Sequence, residues 1–116
     1  MLGIKEIDSE RLASWLEEDA ASLRLVDVRS MSEIAQGVLA GAEAMPMHLI
    51  PLRFGELDKN TRIVFYCRTG ARSAQVCAFL QQQGFDQVIN LAGGIVDWHR
   101  RGYPIELPSP EMTHSA

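Results

Sequence analysis

The chain has 116 residues and a mass of 12.9 kDa, enough for one hydrophobic core and too little for two independently stable ones. Hydrophobic residues make up 47% and charged residues 22%, a globular balance that argues against disorder, and no apolar run approaches the roughly 20 residues a membrane span needs. A net charge of -4 with no basic stripe makes nucleic acid an unsuitable partner, because neutralising phosphates takes clustered Lys and Arg.

The N-terminus, MLGIKEIDSE, lacks a basic stretch followed by an apolar one, so a cytoplasmic protein is expected rather than a secreted one. Within it IKEID alternates apolar and charged side chains as a strand does. SERLASWLEEDA then sets Leu12, Trp15 and Leu16 at helical spacing, with Ser9 as the expected cap. LRLVDV reads as a short strand ending at Asp27, and SMSEIAQG as a short helix closed at Gly37. AEAMP fits a brief strand, and MHLIPLRFGELDKN an irregular helical connection broken by proline.

RIVFYC is the clearest strand. It is β-branched or aromatic and apolar at nearly every position, as a parallel strand covered on both faces should be, and it ends on Cys67. After a short loop, SAQVCAFLQQQG puts Ser73, Val76, Cys77 and Leu80 on one helical face, and Gly84 stops the helix. QVINL is a last strand and GGIVDWHRRG a last helix, with Trp98 on its apolar face. The closing YPIELPSPEMTHSA holds three prolines and loses its periodicity, so residues 1–108 form the expected domain and 109–116 a mobile tail. Alternating strands and helices give an α/β fold with a mainly parallel sheet, helices on both faces, and ligands bound beyond the carboxyl ends of the strands.

Cys67 stands at such an end. A thiol attacks only as its thiolate, and the junction between a strand and a helix N-terminus offers backbone N–H groups and the positive end of a dipole. Arg68 and Arg72 add fixed positive charge, and Gly70 lets the backbone curl so that successive amides face inward as an anion-binding cup. Ser73 can cap the helix and offer its hydroxyl to the occupant of the cup, and Thr69 can donate likewise. Cys77, on the inner face of the helix, is expected to pack rather than react. The two cysteines, ten residues apart, match neither a disulfide framework nor paired metal ligands. With His48, His99 and His114 dispersed, no metal and no cofactor is assigned.

These segments together resemble the rhodanese family of single-domain sulfurtransferases over residues 4–104. LVDVRSMSEIAQG is similar to the family's Asp-Val-Arg segment, with a Glu four residues after the Arg. CRTGARS is similar to its active-site loop, and LAGGIVDWHRRGYP to its closing Gly-Gly, Trp and Tyr-Pro pattern. The resemblance implies that Cys67 takes a sulfane sulfur from a small anionic donor such as thiosulfate, holds it as a persulfide, and passes it to cyanide or to a thiol, including a protein thiol. It also implies that Arg68, Thr69, Gly70, Ala71 and Arg72 form the cradle, which Ser73 joins as an expected substrate-binding residue through its hydroxyl. Asp27, Arg29 and Glu33 match the family's first segment in structural roles, with Arg29 and Glu33 spaced to pair on a helix for a few tenths of a kcal/mol.

The pattern departs in GVLAGA, residues 37–42, where many members have Gly-His-Ile-Pro-Gly-Ala. Val38 and Ala40 remove a polar group and stiffness without touching the nucleophile, which bears on donor preference rather than activity. Phosphatases of this fold separate Cys and Arg by five residues. Here the four residues RTGA make a smaller cup, and no neighbouring segment declares the acid a leaving oxygen needs. A non-catalytic interaction module is the other alternative, and the intact loop around Cys67 speaks against it.

Overall fold

The computed structural model describes residues 3–113. Five strands, β1 (Lys5–Ile7), β2 (Leu23–Asp27), β3 (Glu43–Ala44), β4 (Arg62–Tyr66) and β5 (Val88–Leu91), form one parallel sheet in the order β1-β5-β4-β2-β3. β4 lies at the centre, and Ile63, Val64, Phe65 and Tyr66 are all fully buried, which accounts for its unbroken apolar run.

Because side chains alternate across the sheet, two cores form. On one face Val64, Tyr66, Ile89 and Leu91 meet Leu12 of helix α1 (Ser9–Asp19), Ile34 of α2 (Met31–Ile34) and Trp98 of α5 (Gly94–Arg100). On the other, Ile63, Phe65 and Val88 meet Ile50 of α3 (Ile50–Arg53) and Val76, Cys77 and Leu80 of α4 (Ala71–Gln82). Segment 47–56 is a 3-10 turn, the four-residue α3 and a second 3-10 turn, the irregular connection its proline predicts. Among the described residues no helix is long and apolar enough to cross a membrane.

Two local expectations are corrected. The cap of α1 is Asp8, whose extended backbone lets its carboxylate accept the Arg11 N–H at 2.8 Å. Ser9 is instead the first helical residue, buried, and its hydroxyl donates to Asp97 of α5 at 2.9 Å. At the other end, Pro110–Thr113 form a further turn of helix, α6, and Met112 is buried in the first core. The prolines that erase periodicity there do not prevent a single turn from burying one side chain, so the expected tail is helical through 113. Residues 114–116, His114 among them, lie outside the described residues.

Candidate active site

The loop from Cys67 to Gly70 joins the end of β4 to the start of α4, at the carboxyl edge of the sheet. Gly70 precedes α4 with φ +106°, a left-handed conformation that glycine adopts without strain. The helix cap is this glycine and not Ser73, which is the third helical residue and completely buried.

Donors converge on the Cys67 sulfur. The Gly70 N–H lies 3.1 Å from Sγ, and the Ser73 N–H and hydroxyl each 3.4 Å. A Thr69 N–H adds to these, so Thr69 contributes its backbone, and its side chain is exposed. Cys67 is only 1% exposed, and burial by itself opposes ionisation more than any single contact favours it. The hydrogen bonds from the Ser73 hydroxyl and from the Ser73, Gly70 and Thr69 N–H groups together outweigh burial and carry the thiol below its ordinary value.

The carbonyls of this loop are held away from the sulfur. Cys67 O accepts the Ile95 N–H at 3.0 Å and Arg68 O the Val96 N–H at 3.1 Å, both from the first turn of α5. Carbonyl and N–H of one peptide point in opposite directions, so fixing the carbonyls of 67 and 68 fixes the N–H groups of 68 and 69. That close approach requires Gly94. It sits at φ +59°, and a Cβ there would lie 2.4 Å from Arg68 O and 2.6 Å from Cys67 O.

The arginines divide. Arg68 is exposed at the mouth of the loop. Arg72 makes a two-pronged ion pair with Glu33, at 2.8 and 2.9 Å, linking α4 to α2. Hydrogen bonding from Arg72 first, then from the Ser30 N–H and hydroxyl, holds the Glu33 carboxyl at about 2 against burial. Ser30 and Glu33 also form a reciprocal capping box at the start of α2.

The expected Arg29–Glu33 pair is therefore replaced. Arg29 precedes α2 and turns back onto Asp27, pairing at 2.8 Å with both side chains buried, and also donates to Gly37 O. With the Tyr66 hydroxyl, which accepts the Leu39 N–H at 3.1 Å, this buried cluster anchors segment 37–39 and makes no hydrogen bond to Cys67. Val38 is buried in the first core and Ala40 borders a groove with Trp98 and Tyr103, so neither lines the cup. Beside Arg72 runs a mainly apolar groove of about 500 Å³ lined by Val28, Pro46, Met47, His48 and Pro51.

One residue at the site escapes the sequence reading. Asn90, in the middle of β5 and 1% exposed, donates from Nδ2 to Gly70 O at 3.2 Å. Its signal was a lone amide inside the otherwise apolar VINL, residues 88–91. Among the described residues no group of three His, Cys, Asp or Glu is gathered as a metal site requires.

The family model for the rhodanese-like domain matches residues 8–101. A sulfurtransferase of Allochromatium vinosum is 51% identical over 90% of this chain and 97% of its own length. The putative sulfurtransferase YtwF of Bacillus subtilis is 40% identical, covering 87% of this chain and 96% of its own. The crystal structure of a rhodanese-like domain protein from Staphylococcus aureus superposes with a TM-score of 0.81 at 33% identity, over 91% of this chain and all of that one.

Proposed function

The chain belongs to the rhodanese-like domain family, and from that kinship we propose that it is a sulfurtransferase working through a Cys67 persulfide, with a small anionic donor such as thiosulfate and a thiol or cyanide as acceptor. The observation that carries this reading is the convergence of three N–H groups and one hydroxyl on a single buried sulfur. Such a cup favours the thiolate before transfer and a negative terminal sulfur after it.

The Cys67 thiolate attacks the sulfane sulfur of the donor, a new S–S bond forms, and the donor's S–S bond breaks with its electron pair leaving on sulfite. An acceptor thiolate or cyanide then attacks the outer sulfur, and Cys67 leaves as thiolate. Arg68, exposed beside the thiol, draws in the anionic donor. Gly70, Ala71 and the first turn of α4 hold the outer sulfur, and Arg72 braces that turn through Glu33. The acceptor approaches along the groove that borders Arg72. Transfer needs Cys67 reduced, which suits a reducing compartment such as the cytoplasm.

Intact-mass measurement after incubation with thiosulfate tests the reading. One added sulfur, removed by thiols and absent from Cys67→Ser, is expected, with negligible release from an activated aryl phosphate because the four residues between Cys67 and Arg72 make a smaller cup that disfavours phosphate ester hydrolysis. Cys67-dependent phosphate release without sulfur transfer would overturn it.

A further inference from the structure

Asn90 occupies a place where an apolar residue would be expected. All four residues of β5 are buried, yet its third is an amide whose Oδ1 has no hydrogen-bond partner among the described residues. Burying such an atom opposes folding, and valine or leucine would avoid it. The other end of the amide is fully used. Register pairs Asn90 with Glu6 of β1 and with Phe65 of β4, and Nδ2 donates both to Glu6 Oε2 at 2.8 Å and to Gly70 O at 3.2 Å. The carboxylate can only accept, so it fixes which end of the amide faces the loop.

The consequence concerns Ser73. Its hydroxyl has one hydrogen and two acceptors within reach, Cys67 Sγ and Gly70 O, each at 3.4 Å. Gly70 O already accepts the Ala74 N–H at 3.1 Å, and Asn90 supplies the second donor that a carbonyl oxygen can take. With that oxygen saturated, the hydroxyl is left to the sulfur. We infer that Asn90, oriented by Glu6, is a positioning residue that commits the Ser73 hydroxyl to the Cys67 sulfur. Without Asn90 the carbonyl competes for that hydrogen, and the sulfur loses the only side-chain donor it has among the described residues.

The charged groups around the cup are Arg68 in the loop, Arg72 on α4 with Glu33 on α2, the buried Asp27–Arg29 pair beyond β2, and Glu6 on β1. Substituting Asn90 removes none of them, so a change in the thiol reports the hydrogen bond. The inference deepens the sulfurtransferase reading, but its test follows thiol ionisation and is independent of turnover.

The ultraviolet absorbance of the Cys67 thiolate is titrated in the full chain, in Asn90→Leu, in Ser73→Ala and in the double variant. Asn90→Leu should raise the midpoint by about one to two units, the weight of one hydrogen bond to a charged atom. Ser73→Ala should raise it at least as far, and the double variant no further than Ser73→Ala. An unchanged midpoint in Asn90→Leu, or shifts that add in the double variant, would overturn the inference. If Asn90→Leu does not fold, the exposed Glu6→Ala decides: losing that anion lowers the midpoint equally with and without Ser73, so a midpoint that falls less in the full chain than in the Ser73→Ala background supports the inference, and equal falls overturn it.

Discussion

Cys67 and Cys77 share one core, both are free, and both are almost completely buried, yet their thiols move in opposite directions. Cys77 lies one turn past Ser73 on the inner face of α4, where every helical N–H is already committed, and burial pushes its thiol up to about 12. Cys67 lies just before that helix, where the first N–H groups lack intrahelical partners and are turned toward the sulfur. Burial thus decides nothing alone. What separates the two thiols, ten residues apart, is the supply of uncommitted donors at a helix start.

The largest effect expected is on this contrast itself. Cys67→Ser should reduce sulfur transfer to background, and thiolate absorbance should show one group ionising below the ordinary cysteine value and another only near 12 or on unfolding. Since the proposed transfer needs the thiolate, its rate in the full chain should rise with pH at lower values than those at which an ordinary thiol ionises. Thiolate appearing at equal pH in Cys67→Ser and Cys77→Ala would abolish the distinction.

Next in size is the support from α5. Gly94→Ala would drive a methyl into the carbonyls of Cys67 and Arg68, and the loop must shift to admit it. Overpacking of this kind costs about 1–3 kcal/mol. The displaced donors should also lower transfer on the order of a hundredfold, the penalty for misplacing reacting groups by about an ångström. Denaturant unfolding and turnover measured together check both parts. Normal turnover would mean that α5 does not set the loop.

The difference between the cysteines was legible in the sequence because it depends on local order: an apolar strand, a loop with glycine, then helical periodicity. Partners remote in sequence were not legible. Glu33 finds Arg72 39 residues away, and spacing alone suggested the nearer Arg29, which the buried Asp27 carboxylate captures instead. Asp8 and Ser9 are both able to cap α1, and only the presence of Asp97 on another helix draws Ser9 away. Asn90 was visible as an amide in an apolar strand, but its target, the Gly70 carbonyl, exists only once β5 lies beside β4.

A smaller effect follows from the Glu33–Arg72 pair, which braces the helix start beside Cys67 and has no counterpart at Cys77. Glu33→Gln preserves the capping residue type and removes the charge. Side-chain exposures of 28% and 38% leave the pair partly screened, so the loss at neutral pH should be about 1 kcal/mol. Glu33 ionises at about 2 in the fold against 4.5 for the unperturbed side chain, so its contribution is complete above that higher value and disappears as pH falls toward 2. The gap between the full chain and Glu33→Gln in denaturant unfolding should therefore close between pH 5 and 2. A gap independent of pH would assign the effect to packing.

The smallest effect on activity is expected at Cys77, and it gives the contrast its sharpest test. Cys77→Ala deletes one fully buried sulfur between Val76, Leu80 and the strands beneath, leaving a space the helix closes only in part. A small cavity of this kind should cost about 1–2 kcal/mol in denaturant unfolding. None of the groups hydrogen-bonded to the Cys67 sulfur touches Cys77 by a hydrogen bond, so transfer per folded molecule should stay within about twofold of the full chain. Cys77→Ser should be folded too, because a hydroxyl in a helix can bond back to the carbonyl one turn earlier, here that of Ser73. If either variant remained folded and lost transfer tenfold, Cys77 would be a second participant in sulfur handling, and donor supply at the helix start would not be enough to set the roles of the two thiols apart.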